Sequence, residues 1–175
     1  MERDGLTLWV ERARAGDEDA FERIVAATWA SSVALARVVL AEQHRDAEDA
    51  VQEAYCQVWL ALPRLRSSSA FRAWLRRITV REAGRFRRRA VAGSPGTDES
   101  LLQQAPNQRD GDVAKALARL PERQRAVLYL GEIEGLTDAE VAESLGIRRS
   151  TVRVHRQRGR NRLRKLLDGG TSHEG

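Results

Sequence analysis

Between Thr137 and Ser150 the signals that start and stop a helix follow one another in close succession. Thr137 stands before an apolar-periodic run, with Glu140 three residues on, the spacing at which a cap hydroxyl and a carboxylate satisfy each other's backbone N–H groups. Gly146 then supplies the left-handed stop that ends such a helix. After Ile147-Arg148-Arg149, Ser150 is placed to cap a further helix running to about Leu167. Two helices joined by so tight a Gly-containing turn, the second rich in arginine, form a helix-turn-helix.

The remainder also reads helical, with no alternating strand that could pair with another. Ala15-Gly16 ends a segment from Leu6, and Asp17 is placed to cap a long helix with Glu18 and Asp19 in its first turn. That helix carries Phe21, Ile24, Val25, Thr28, Trp29, Val33 and Ala36 on one stripe. A third helix runs from about Asp46 to Leu62 and is closed by Pro63, and a fourth begins near Ser69 with Phe71, Trp74, Leu75 and Ile78 inward. From Ala90 to Asp112 the prolines and glycines break any periodicity, which marks a linker. Beyond it, Ala114, Leu117 and Leu120 form a short stripe, and Pro121 begins a helix that tolerates its missing N–H. The expected fold is all-α: a helical domain over residues 1–89, a flexible linker over 90–112, and a helix-turn-helix domain over 113–175.

Charge separates along this organisation. Residues 1 to 62 hold 6 basic and 12 acidic side chains, whereas residues 63 to 92 hold 10 basic and 1 acidic. Residues 148 to 167 hold 9 basic and none acidic, so two basic blocks, nearly all arginine, each follow an acidic or neutral stretch. Two surfaces that face polyanions are expected. The lone Cys56 cannot form an internal disulfide, and His44, His155 and His173 have no zinc spacing. No nucleophile has a base beside it and no glycine-rich phosphate loop is present, so neither catalysis nor a cofactor is expected. The start Met1-Glu2-Arg3-Asp4 lacks a signal-peptide pattern, and no uninterrupted apolar run approaches a membrane span. A cytoplasmic protein is expected.

A recognition helix presents its N-terminal residues to base edges in the major groove. Here those are Arg149, Ser150, Thr151, Arg153, Val154 and Gln157, while Val152, Gly159, Leu163 and Leu166 recur at core-facing spacing. Arg148, Arg158, Arg160 and Arg162 suit phosphate contacts, which add affinity without sequence choice. On the third helix Asp46, Asp49, Gln52 and Glu53 share a face that DNA would repel; it is either a solvated surface or a seat for a basic protein. Trp74 fits the apolar core better than a base-stacking platform, and Cys56 is expected buried or half-buried.

These motifs together resemble the extracytoplasmic-function group of the sigma factors of bacterial RNA polymerase. Ala15-Gly-Asp-Glu-Asp-Ala-Phe21 looks like the opening of sigma domain two, and Asp46 to Trp59 is similar to its core-binding helix. Ser69-Ala-Phe-Arg-Ala-Trp-Leu-Arg-Arg-Ile78 looks like the helix that addresses the minus-ten promoter element. Leu120-Pro-Glu-Arg-Gln-Arg125, Glu134 to Ala142 and Leu145 to Val152 resemble sigma domain four, which reads the minus-thirty-five element.

The resemblance implies that Asp46, Asp49, Gln52 and Glu53 dock on the clamp of the polymerase's largest subunit, and that the flap of the second-largest subunit is also a partner. It implies that the loop Leu65 to Ala70, with Leu65, Arg66, Ser67, Ser68 and Ser69 as its DNA-contacting residues, receives a flipped base, and that Trp74, Arg76, Arg77, Arg81 and Arg85 complete the minus-ten surface. Arg148 to Thr151, Arg153, Val154, Gln157 and Arg158 would serve the minus-thirty-five element, and an anti-sigma factor is implied as an inhibitor. Three departures from the family pattern stand out. Ser67 and Ser68 replace a usual glycine and acid, Arg81 replaces a frequent Asn, and Arg156 takes a usually apolar position, where its charge must snorkel or the helix must tilt. A helix-turn-helix regulator acting alone, or an adaptor with solvated basic faces, are the rival readings.

Overall fold

The computed structural model describes residues 2–93 and 115–170, and among them every regular element is helical. Helix α1 (Glu2–Arg14) stops where Gly16 takes a φ of 95°, a conformation open to glycine. Asp17 then caps α2 (Glu18–Leu40): its Oδ1 accepts from the Ala20 N–H at 2.9 Å while Oδ2 takes Arg12 Nη2 at 2.6 Å. The cap bond and the guanidinium hold the Asp17 carboxyl below the usual carboxylate range.

Helix α2 is long and apolar enough, by composition alone, to cross a bilayer, yet its stripe is buried against α1, α3 and α4. Its hydroxyls have a local role. Thr28 Oγ1 donates to the Ile24 carbonyl at 2.6 Å, so the Tyr55 hydroxyl, also 2.6 Å away, donates to Thr28, and Ser32 lies 3.3 Å from the same phenol. Burial raises the Tyr55 phenol above its ordinary pKa, with the Ser32 and Thr28 bonds pulling the other way. Trp29 stacks on the Tyr55 ring at 5.8 Å, and Phe21 meets Trp59 at 4.8 Å, which locks α2 to α3.

A 3-10 turn (Ala41–Asp46) leads into α3 (Ala47–Ala61), which ends in a further 3-10 turn over Leu62–Arg64 containing Pro63. A short loop and the turn Ser68–Ala70 then enter α4 (Phe71–Gly93), which continues past the expected boundary at residue 89. The linker beyond Gly93, together with Ala114, lies outside the described residues.

In the second unit a helical turn over 115–118 is followed by α5 (Glu122–Leu128), a π-turn (Tyr129–Ile133), α6 (Asp138–Leu145) and α7 (Arg149–Gly170). Pro121 is extended, with ψ 141°, so it sits just before the first helical residue rather than at it. The capping box is present: Glu140 N–H reaches Thr137 Oγ1 at 3.3 Å and Thr137 N–H reaches Glu140 Oε2 at 2.9 Å. Gly146 closes α6 in the left-handed region, φ 64°. Ser150, expected as the next cap, lies inside the first turn instead: α7 begins at Arg149, and Arg148 accepts from the Val152 N–H at 3.1 Å. Gly159 lets α7 approach α5, since a Cβ there would sit 3.0 Å from Leu128 Cδ1.

The two units pack on one another, α6 against α4 and α5 against the end of α2. Arg125, 2 % exposed, is the buried connection. Its Nη2 donates to the Val39 carbonyl of α2 at 2.8 Å, and its Nη1 to Ala118 at 2.7 Å and Leu120 at 3.2 Å.

Replacing Thr137 by Ala removes the cap, and chemical denaturation should register a loss of about 1 kcal/mol. An unchanged midpoint would mean that the packing of α6, not its cap, holds the turn.

Candidate nucleic-acid and polymerase interfaces

Helix α7 divides along its length into two arcs by its own period. Val152 and Gly159 are buried, with Leu163 and Leu166 half-buried beside them, and this arc faces the unit's core. The opposite arc carries Arg149, Ser150, Arg153, Val154, Gln157 and Arg158, all exposed, with Arg148 at its start and Thr151 half-buried at its edge. Val154 leaves 45 % of its surface to solvent, an apolar side chain among arginines. All eight residues expected at the minus-thirty-five element are thus gathered on one open surface.

Arg156 lies between the arcs, and its charge is neutralised inside the unit. Nη2 stands 3.1 Å from Asp138 Oδ1 and Nε 3.7 Å from Glu132 Oε1. Gly131 makes the room, because a Cβ there would collide with the Arg156 guanidinium. Asp138 also holds Arg153 at 3.3 Å, and Glu132 holds Arg160 at 2.8 Å. Two carboxylates therefore tether the arginine helix to the start of α6 and to the π-turn. His155 on the same helix is held below its ordinary pKa by partial burial, then by Arg123 and Arg158, so it stays neutral near pH 7.

The residues expected at the minus-ten element do not form one such surface. Glu82, the single acid of its basic block, is buried and pins Arg81 at 2.9 Å and Arg85 at 3.1 Å. Arg76 and Arg77 instead face the second unit. Arg76 Nη2 meets Glu134 Oε2 at 2.9 Å with both side chains mostly covered, and Arg77 Nη2 donates to the Glu143 carbonyl at 2.6 Å. Burial raises the neighbouring Tyr129 phenol, and the Glu134 carboxylate pushes the same way against the pull of Arg76.

Trp74 is half-buried with its ring 6.1 Å from Phe71, a place in the core stripe. In the preceding loop Arg66, Ser67 and Ser69 are exposed while Leu65 and Ser68 are buried. Ser68 Oγ lies 3.4 Å from Glu11 Oε1, and the Ser67 and Ser69 hydroxyls are 2.8 Å apart. A groove of about 520 Å³ runs between this loop, Arg72 and Arg76 on one side and Glu134, Leu136 and Glu140 on the other.

On α3, Asp49, Gln52 and Glu53 are exposed on one stripe, with Asp46 partly covered at its start. Cys56 continues the stripe and is exposed, contrary to the expected burial: it falls one turn beyond Gln52 and Glu53, on the outer face. Leu60 ends the stripe with 72 % of its surface open. Sequence reading passed over Leu60 because one exposed leucine next to core-spaced apolar residues looks like core; its spacing of seven from Glu53 was the available signal.

Residues 24–92 match the family described as Sigma-70 region 2, and residues 110–163 that described as Sigma-70, region 4. The ECF RNA polymerase sigma factor SigM of Mycobacterium tuberculosis is 31% identical over 157 residues, covering 87% of this chain and 80% of SigM. The RNA polymerase sigma factor CnrH of Cupriavidus metallidurans is 31% identical over 185 residues, covering 94% of this chain and 95% of CnrH. SigE of Mycolicibacterium smegmatis is 36% identical over 140 residues, but the match covers 54% of SigE's length. Among solved structures, CnrH in complex with the cytosolic domain of CnrY superposes with a TM-score of 0.71 at 28% identity, covering 94% of this chain and 98% of that one. RpoE in complex with the anti-sigma factor NepR from Bartonella quintana gives 0.69 at 26% identity, covering 85% and 96%. With both sigma regions present in order, the chain belongs to the extracytoplasmic-function sigma factors of RNA polymerase, within the sigma-70 family.

Proposed function

We propose that this sigma factor joins RNA polymerase core and directs it to promoters through two DNA-reading modules, residues 1–89 and 113–175, joined by residues 90–112. The acidic stripe Asp46, Asp49, Gln52 and Glu53, extended by Cys56 and Leu60, docks on the clamp of the largest subunit. The second module meets the flap of the second-largest subunit. The α7 face reads the minus-thirty-five element with Arg149, Ser150, Thr151, Arg153, Val154 and Gln157, while Arg148 and Arg158 hold phosphates. Loop residues Leu65 to Ser69, with Trp74, Arg76, Arg77, Arg81 and Arg85, take the melted minus-ten strand. The protein acts by binding, in the cytoplasm with the polymerase, and bond formation is left to core.

The observation that carries this reading is the unequal engagement of the two surfaces. The α7 arc is open, yet Arg76 and Arg77 are held by Glu134 and by the Glu143 carbonyl. Arg76 and Arg77 become available to the minus-ten strand when the modules separate, and docking on a large partner supplies a reason for them to do so. An anti-sigma factor that favours the packed arrangement would act in the opposite sense; RpoE from Bartonella quintana is known in complex with such a factor, NepR.

Run-off transcription with purified core tests the proposal: initiation should begin at a defined nucleotide only when this chain is added. Core that starts nowhere in its presence would end the sigma reading. Reversing charge at Asp49 and Glu53 should weaken core association while leaving helical circular dichroism intact; undiminished affinity would remove α3 from the docking surface. Arg149→Ala should cost roughly 1–3 kcal/mol at one base pair of the upstream element. A uniform loss across all sequences would make Arg149 a phosphate contact.

A further inference from the structure

Where α4 meets the second module, a cleft of about 230 Å³ is lined by Arg77, Arg81, Arg88, Arg123 and Glu122, with Val80 and Leu145 forming apolar wall. Four guanidiniums face one carboxylate there, and Glu122 is itself within 3.7 Å of Arg87. Three of the arginines belong to the first module and Arg123 to the second, so the cleft exists only while the modules are packed.

Several of these side chains are held in place by the fold. Arg77 is anchored to the Glu143 carbonyl at 2.6 Å and Arg123 to the Leu145 carbonyl at 3.4 Å, both at the C-terminal end of α6. Arg81 is anchored through Nε to Glu82. Arg88 has no ion pair or hydrogen bond among the described residues. A guanidinium offers five N–H donors, so each anchored arginine keeps unused donors in the cleft. Like charges gathered across a seam repel and oppose its closing, and an anion seated between them reverses that effect.

We propose that this cleft binds a small oligophosphate anion. Planar guanidinium forks take phosphate oxygens two at a time, and the excess positive charge of the α4 wall, facing the Arg123 guanidinium across the seam, suits a ligand with several phosphate charges better than a single carboxylate. The volume lies below the roughly 300–1,000 Å³ of pockets for drug-sized ligands, which suits a short phosphate chain. Because the walls come from both modules, the anion binds the packed arrangement more tightly than the separated one and stabilises it. It also occupies Arg77 and Arg81, two of the arginines assigned above to minus-ten DNA. Binding is a property of the chain alone, so its failure would leave the transcription proposal standing, and the reverse holds equally.

Calorimetric titration of the whole chain with sodium tripolyphosphate, at physiological ionic strength and without divalent cations, tests the site. One saturable site per chain is expected. Arg88→Ala and Arg123→Ala, on opposite walls, should each weaken binding by about tenfold or more, a loss of about 1.4 kcal/mol. Glu134→Lys lies outside the cleft and should also weaken binding by loosening the seam, although its added charge alone would strengthen it. Several equivalent sites, an unaffected Arg123→Ala variant or a tighter Glu134→Lys variant would each overturn the proposal. So would a polyglutamate peptide that binds the cleft as well as tripolyphosphate does.

Discussion

Arg125 is a charge enclosed by protein, and it is there because backbone carbonyls at two helix ends need donors. The turn over 115–118 ends with Leu117 accepting the Leu120 N–H at 3.0 Å, and α2 ends nearby at Val39 and Leu40. One guanidinium serves both, donating to Leu117, Ala118 and Leu120 within its own module and to Val39 across the seam. A buried cation is tolerated when its donors are occupied and becomes costly when they are not. Separation of the modules therefore exposes the Arg125 bond to Val39, and water has to replace it. The packed arrangement combines a shared apolar core with the Arg76–Glu134 pair and this buried polar contact, whose bond to Val39 water can take over.

Around that joint the charge of the first module is used in three ways. The acids of α3 remain in solvent, the single acid of α4 is buried to orient Arg81 and Arg85, and Arg76 and Arg77 are spent on the second module. The second module applies the opposite arrangement to its recognition helix. Asp138 and Glu132 take up Arg156 and Arg160 from the inner side and leave Arg149, Arg158 and the Val154 side chain outward. Asp138 touches Arg153 as well, so the start of α6 restrains an arginine on the exposed arc. Since α6 also packs on α4, the geometry of the recognition helix and the state of the seam share a common element.

Most of the helical framework was legible in the chain, because caps and stripes act over a few residues. Asp17, Thr137 with Glu140, and Gly146 each act where the local pattern puts them. The start of α7 lies two residues earlier than expected: the Arg148 carbonyl accepts the Val152 N–H and begins the ladder before Ser150 can cap it. Cys56 was misplaced because an alanine-rich helix leaves little contrast between its faces. The π-turn over Tyr129–Ile133 had no sequence signal, and it supplies the Gly131 gap that Arg156 fills.

What the sequence by itself determined is the helical framework and the outward arc of α7, both of which follow from periodicity and local hydrogen bonding. Only the tertiary structure decided which arginines are available. Arg76, Arg77 and Arg125 find their partners 58, 66 and 86 residues away along the chain. No local pattern encodes such a pairing. A guanidinium looks the same in sequence whether it will meet DNA, a carboxylate or a helix end, and the choice is made by what the packed chain brings within about 3 Å of it.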